Sequence, residues 1–416
     1  MKKNILIAVF TFFLALIILA GGFLLGINFS QAKDYLVDFI NPASSAAKQD
    51  AASASSGNSG SQAIKSIEQT IKYILANAIT RKTEKELADA AIEAMLASLE
   101  DRYADYFPAE EYSRIIESYS GTMSGIGVVV TADEEGQILI INVIESTPAF
   151  EKGLVEGDII AAVDGTEIKD MALDQVVALI KGPEGTDVII TVFRPSDNKR
   201  IDFTITRRRF YVPNFYATVI EDSILYIQYV DFQESGAKKL EEKLKAIIAS
   251  NGPGAVKGII IDLRNNLGGT LDDAVQFCDL FLDSGIIVSV RGRSNNADKY
   301  EEFKAGRGGY TDLPLAVIIN GYSASAAELA AGALKDLGRA VLIGEKSFGK
   351  GTVQILNELP DGSGIKYTTA RYYLPSGITI DGTGIKPDIE IVLTPEDTED
   401  TQFNRAVEEI KNMINK

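Results

Sequence analysis

The stretch LAVIINGYSASAAELAAGALKDLG, Leu315 to Gly338, decides how this chain is read. It opens on an apolar run that reads as a strand and closes on an Ala-rich helix. Between them lies a small polar turn holding Ser323 and Ser325. A serine raised where a strand meets a helix is well placed to attack a carbonyl. The backbone N–H of Ala326 and the helix dipole would face the resulting oxyanion. Yet Ser325-Ala326-Ala327-Glu328 is also an S-x-x-E capping box, so Ser325 has a purely structural reading as a helix cap. Ser323 competes with it as nucleophile, and Ser347 less strongly.

The same alternation extends outward. ILYIQYV, KGIIIDLR, IIVSV and RAVLIGE read as strands, the second of them buried on both faces. ESGAKKLEEKLKAIIAS and TLDDAVQFCDLFL read as helices. Strands alternating with helices argue for an α/β layer architecture. TVQILNEL and IKYTTARYYL return to strand, and FNRAVEEIKNMI carries an apolar helical stripe. Upstream, Met123 to Phe210 changes period and reads as a small β-rich module with one helix, ALDQVVALIKG. Further upstream, Ile64, Ile67, Ile71, Ile74 and Ala78 share one helical face. Thr83 and Glu86 fit a capping box opening a second helix with Leu87, Ala91, Met95 and Leu99 inward. LEDRYADYFPAEEY, from Leu99, reads as an aromatic turn.

Composition narrows the chemistry. The chain has 416 residues, no histidine, one cysteine and a formal charge of −17. Absence of histidine removes Ser-His-Asp and Cys-His catalysis and most zinc sites. The acidic balance argues against nucleic acid as a partner. Cys278 lies on an apolar helix face and reads as a buried thiol.

A serine nucleophile here needs another base. Lysine ordinarily titrates near ~10.4, and burial lowers that by up to ~3–5 units. Lys350, in EKSFGKGTVQ, is flanked by Phe348, Gly349 and Gly351. Glycines on either side let the backbone bring its amine close to a neighbour. Gln354, four residues on, would orient the amine without adding a charge that favours the ammonium. Gly344, Gly349 and Lys350 also match a phosphate loop. However, Gly351 stands where Ser or Thr would hold magnesium, and a strand follows where a helix is required. A second oxyanion donor would come from IDLRNNLGGT, at Gly268 or Gly269, although the stretch is equally a plain strand-to-helix turn.

NGYSASAAELAAGAL, GEKSFGKGTVQ, IDLRNNLGG and YYLPSGITIDGTGIKPDI, in this order and spacing, resemble the carboxyl-terminal processing serine peptidases. The preceding module resembles a PDZ domain, through GIGV, STPAFEKGLVEGDIIAAVDG and IKGPEGT. The resemblance runs from about Leu99 to Ile414. It implies Ser325 as nucleophile, Lys350 as general base and Gln354 as orienting residue, on a crotonase-like α/β fold. Ala326 and either Gly268 or Gly269 would form the oxyanion hole. Ala327 stands where a second serine is common, and Leu267 where proline is usual. The PDZ module would hold a free C-terminal carboxylate on the N–H groups of Gly125, Ile126, Gly127 and Val128. The tail would add a strand beside VVV, with the helix Leu173 to Ile180 as the other wall. In that family, tail docking is linked to assembly of the active site.

The N-terminus carries Lys2 and Lys3, then an uncharged run from Ile5 to Ile27. This suits the ~20 residues of a bilayer core better than the ~7–15 of a secretory signal. Residues 1–30 read as a signal anchor with the body outside the cytoplasm, secreted if the segment is cleaved near Ser30-Gln31-Ala32. An Ala/Ser-rich linker spans 31–63. A helical region (64–118), the PDZ domain (119–207), the Ser-Lys peptidase domain (208–396) and a C-terminal helix (397–416) follow. The sequence thus points to a multidomain α/β serine endopeptidase cutting proteins near their C-termini. Its partners would be protein substrates with free, apolar C-terminal tails and the membrane, through its anchor. No metal or organic cofactor is implied, and the helices before the PDZ module offer a homodimer surface by analogy. The competing readings are a non-catalytic PDZ scaffold with an inactive hydrolase body and, more remotely, a soluble acyl-CoA enzyme.

Overall fold

The computed structural model describes residues 62–416, apart from 134, 222, 253, 296, 307 and 395. The expected anchor at 1–30 lies outside the described residues, as does nearly all of the expected linker. Among the described residues no helix is long and apolar enough to cross a membrane. The described chain forms two units, residues 121–213 and residues 62–120 with 214–416.

In the smaller unit the strands Val128–Ala132, Ile138–Val143, Ile159–Val163, Asp187–Arg194 and Lys199–Thr206 pair in that order, all antiparallel. Alternation builds its core. Val188, Ile190 and Val192 are fully buried, with exposed Asp187 and Ile189 at neighbouring positions. The helix Leu173–Ile180 adds Val176 and Ile180 to the same core. Arg207 donates to the carbonyls of Leu179, Ile180 and Asp187, tying the end of that helix to the sheet. Entry and exit of the unit are zipped together, Thr122–Gly125 pairing antiparallel with Arg208–Tyr211.

The larger unit is built on a six-stranded sheet. Its order is Phe215–Ile220, Ile224–Tyr229, Gly258–Asp262, Leu315–Ile319, Val341–Gly344 and Ile389–Glu390. The first pair is antiparallel and all later pairs are parallel. GIIID and LAVII are buried at every position, because helices cover both faces. Ile259, Ile261, Val317 and Ile319 pack with the helices Gly236–Asn251, Leu271–Asp279 and Ala326–Asp336. Ile260, Ala316 and Ile318 face the helix Thr401–Ile414 through Ala406 and Ile410. A second sheet joins Asp105–Phe107, Gly364–Tyr373, Ile286–Ser294 and Ala297–Lys304, with Thr352–Glu358 also paired to Gly364–Tyr373.

The second of the two N-terminal helices departs from its expected inward face. Gln62–Asn77 has no buried residue, and Ile64 and Ile67 are exposed. In Glu84–Ala97 the Thr83 capping box forms, but Met95 and Leu99 are exposed and Leu96 is buried. The reason is a tertiary contact. Tyr106 donates its hydroxyl to Asp89 (2.7 Å) and draws the Asp89 and Leu96 side of the helix inward. The expected aromatic turn holds the short strand Asp105–Phe107 and the start of the helix Ala109–Ser120.

Candidate active site

The parallel strand Leu315–Ile319 delivers the chain to the serine turn. There Asn320 locks the turn to the neighbouring loop. Its side-chain oxygen accepts the N–H of Asn265 (3.0 Å), and its amide donates to Asn265 Oδ1 (2.9 Å). Ser323 is fully buried, donates its hydroxyl to the Leu263 carbonyl (2.8 Å) and accepts the Asn320 N–H (2.9 Å). Ser347 accepts the Ile385 N–H (2.6 Å) and donates to Glu328 Oε1 (2.5 Å). Both hydroxyls are thus spent on structure.

Ser325 differs. It sits at φ 55°, ψ −116°, immediately before the helix Ala326–Asp336, and its side chain makes no cap hydrogen bond. A positive φ at a residue with a Cβ costs on the order of 1–3 kcal/mol, which the surrounding packing must offset. The half of the capping box that forms runs the other way, with Glu328 Oε2 accepting the Ser325 N–H (2.9 Å).

Lys350 is fully buried. Its backbone N–H also donates to Glu328 Oε2 (2.8 Å), and the Gly349 N–H donates to Oε1 (2.7 Å). A single carboxylate therefore binds the serine turn, the lysine loop and Ser347. The Tyr372 hydroxyl makes a second bridge, lying 2.9 Å from the Ser325 carbonyl and in contact with the Lys350 carbonyl. Phe348 N–H adds a third, to the Ser323 carbonyl (3.0 Å). Burial pushes the Glu328 carboxyl up to about 7, against the lowering effect of its four donors. Sequence reading treated Glu328 only as a capping-box partner. Its two loops lie far apart in sequence, so no local pattern announces the role.

Lys350 Nζ lies 4.6 Å from the centroid of the Tyr103 ring. Gln354 is fully buried on the strand Thr352–Glu358 and donates to Thr352 Oγ1 (2.8 Å) and Thr368 Oγ1 (3.1 Å). Its carbonyl oxygen has no hydrogen-bond partner among the described residues.

Gly268 lies against the serine turn. A Cβ on it would meet Ser325 Cβ at 2.8 Å and the Ala326 nitrogen at 3.0 Å, so only glycine fits this φ of 106°. Its N–H donates to Asn266 Oδ1 (2.8 Å), and its carbonyl accepts the Phe232 N–H (2.8 Å). Gly269 sits against the backbone of Phe232. Beside this turn, burial raises Asp231 to about 7, and Asp231 Oδ1 and Gln233 Oε1 lack partners among the described residues. Asp273 accepts from the Tyr229 hydroxyl (2.7 Å) and the Ala237 N–H (2.8 Å), and burial raises it to about 6. Cys278 is fully buried and its thiol pKa is pushed up by that burial, leaving it unreactive.

In the smaller unit Gly125 ends one strand and Val128 begins another. Ile126 is a core residue, 2% exposed. Gly127 has φ 89° and packs so closely on Thr147 that a Cβ would lie 2.3 Å from it. Val128–Ala132 forms an edge of its sheet.

Residues 223–391 match the model of peptidase family S41, and residues 115–192 match that of the PDZ domain. A carboxy-terminal-processing protease of Bartonella bacilliformis is 39% identical over 75% of this chain and 71% of its own length. A protein of Staphylococcus haemolyticus named "Probable CtpA-like serine protease" is 34% identical over 79% of this chain and 65% of its own length. The solved photosystem II D1 C-terminal processing protease is 24% identical, covering 85% of this chain and 92% of that one, with a TM-score of 0.45. The chain belongs to peptidase family S41, among the carboxy-terminal-processing serine proteases, and carries a PDZ domain.

Proposed function

We propose that Ser325 attacks the scissile peptide carbonyl with the neutral amine of Lys350 as general base. The observation carrying this reading is the shared clamp: Glu328 and Tyr372 each hold the backbone of Ser325 and that of Lys350. In the first step Ser325 Oγ bonds to the carbonyl carbon as its proton passes to Lys350 Nζ. The lysine then protonates the departing amine, leaving an acyl-enzyme that water hydrolyses by the same route. Gln354, with an orphan carbonyl oxygen on the strand that follows Lys350, orients the amine.

The oxyanion would be held by the N–H of Ala326, at the helix N-terminus, and by that of Gly269. Gly268's own amide is engaged by Asn266, and its carbonyl points to Phe232. In a trans peptide the next N–H points the opposite way, so that of Gly269 is directed away from Phe232.

The substrates are proteins with free, apolar C-terminal tails. The tail docks on the Gly125–Val128 loop and adds a strand to the edge Val128–Ala132, a reading supported by that edge position. The boundaries we assign are 64–118 (helical region), 119–207 (PDZ), 208–396 (peptidase, crotonase-like) and 397–416 (C-terminal helix). The parallel sheet covered on both faces supports the crotonase-like assignment. Residues 1–30 anchor the body on the extracytoplasmic side. The exposed Ile64 and Ile67 suit pairing of two copies.

The test is cleavage of a tailed peptide by the full chain, beside Ser325→Ala and Lys350→Ala. Both variants should lose turnover, and retention of it by either would refute the assignment.

A further inference from the structure

We propose that the segment Asp101–Tyr106 is the wall that keeps water from the Lys350 amine, with Tyr103 as the positioning residue through which it acts. The inference rests on the Ser325–Lys350 reading above. Tyr103 is 6% exposed, and its ring centroid lies 4.6 Å from Lys350 Nζ, itself fully buried. One carboxylate fixes that ring. Asp101 Oδ1 accepts the Tyr103 N–H (3.0 Å) and the Thr368 hydroxyl (3.1 Å), while Oδ2 accepts the Thr368 N–H (2.7 Å). Thr368 in turn accepts the Gln354 amide (3.1 Å). A chain of hydrogen bonds thus runs from the wall, through Thr368, to Gln354. Downstream, Asp105 pairs with Lys366 and Tyr106 with Ile365, and the Tyr106 hydroxyl is bonded to Asp89 (2.7 Å). The wall is therefore stitched to the sheet on one side and to the helix Glu84–Ala97 on the other.

The charged and titratable groups around Lys350 come from several elements. The Arg102 guanidinium lies 4.6 Å from the Tyr103 ring centroid. Asp381 accepts the Gly351 N–H (3.3 Å), with Arg102 at 3.8 Å and Arg371 at 3.9 Å. Glu328 and Tyr372 hold the lysine backbone, and Asp101 stands behind Thr368. The face of the Tyr103 ring by itself favours an ammonium. Its removal, however, opens the amine to water, and solvation of a charge outweighs a single ring contact. The ring's net effect is thus to keep Lys350 neutral at a lower pH.

The test is the pH profile of kcat/KM for the full chain on a tailed peptide, with melting curves to verify folding. Tyr103→Ala should move the acidic limb up by about one pH unit, lowering turnover ~5-fold at the wild-type midpoint and ~10-fold well below it, while alkaline turnover recovers. Tyr103→Phe, which keeps the ring, should restore the limb. Asp101→Asn should move it up as well, by less, and carries the test if Tyr103→Ala does not fold. A limb that stays in place, moves down, or gives way to an equal loss at every pH would overturn the proposal. Turnover by Ser325→Ala or Lys350→Ala would instead overturn the Ser-Lys reading, whatever Tyr103 does.

Discussion

The proposed nucleophile and the proposed base are held in place by different means. Ser325 takes its conformation from local geometry, where a parallel strand ends, the turn takes a positive φ and a helix begins, and Glu328 and Tyr372 then clamp its backbone. Lys350 sits in a loop without regular structure, and its surroundings come from remote parts of the chain. Tyr103 lies over its amine, Glu328 holds its N–H, and Tyr372 lies against its carbonyl. A position assembled from distant parts is sensitive at every support.

The sharpest way to break this comparison is to remove the two groups themselves. Ser325→Ala and Lys350→Ala should each lower turnover at least ~10³-fold, as expected when members of one catalytic unit are deleted. Lys350→Arg should not rescue, because a guanidinium stays protonated. Single-turnover cleavage of a tailed peptide measures both.

Glu328 is the point where the two halves meet. Glu328→Ala leaves three backbone N–H groups and the Ser347 hydroxyl without their acceptor. Turnover should fall ~10²-fold, with a stability loss of several kcal/mol, at about 1–3 kcal/mol per buried orphan donor. A variant with full turnover would show that the two loops are held independently. Gly268→Ala tests the serine side, since its Cβ would meet Ser325 Cβ at 2.8 Å. A drop of ~10-fold or more in kcat is expected from a displacement of the nucleophile on this scale.

A smaller effect appears in stability against pH. With no histidine in the chain, the native groups shifted into the range below neutrality include Glu328 and Asp231, each at about 7, and Asp273 at about 6. Their unfolded values lie near ~4, so the native state binds more protons between about pH 4 and 7. Stability from these groups therefore falls as pH rises through that window. Melting of the Ser325→Ala protein from pH 5 to 7.5 should show the fall, and adding Glu328→Gln should flatten it. An unchanged slope would remove Glu328 from the titrating set. The smallest effect is expected from Ser323→Ala and Ser347→Ala. Each should keep turnover within a few-fold and lose about 1–2 kcal/mol of stability, because their hydroxyls hold loops together.

What could be read in the sequence follows its periodicities. GIIID and LAVII announce buried strands, and both are buried throughout. The Thr83 box predicts the helix start that forms. Met95 and Leu99 followed the same logic and failed, since Tyr106 turns that helix by a contact no local pattern encodes. The residues missed at the site share this origin. Glu328 is a cap by sequence and a four-donor clamp in space, and Tyr103 stood in what read as a turn.

The sequence by itself determined the chemistry available: no imidazole, a serine between strand and helix, a lysine among glycines, and the order of motifs that marks the family. It could do so because residue type and short-range spacing fix reactive groups and secondary structure. Only the tertiary structure decided which serine hydroxyl is left outside the loop-binding network, which carboxylate joins the two loops, and which aromatic ring covers the amine. Those outcomes depend on groups brought together by packing across long sequence separations, where burial, rather than local pattern, sets the energy of each contact.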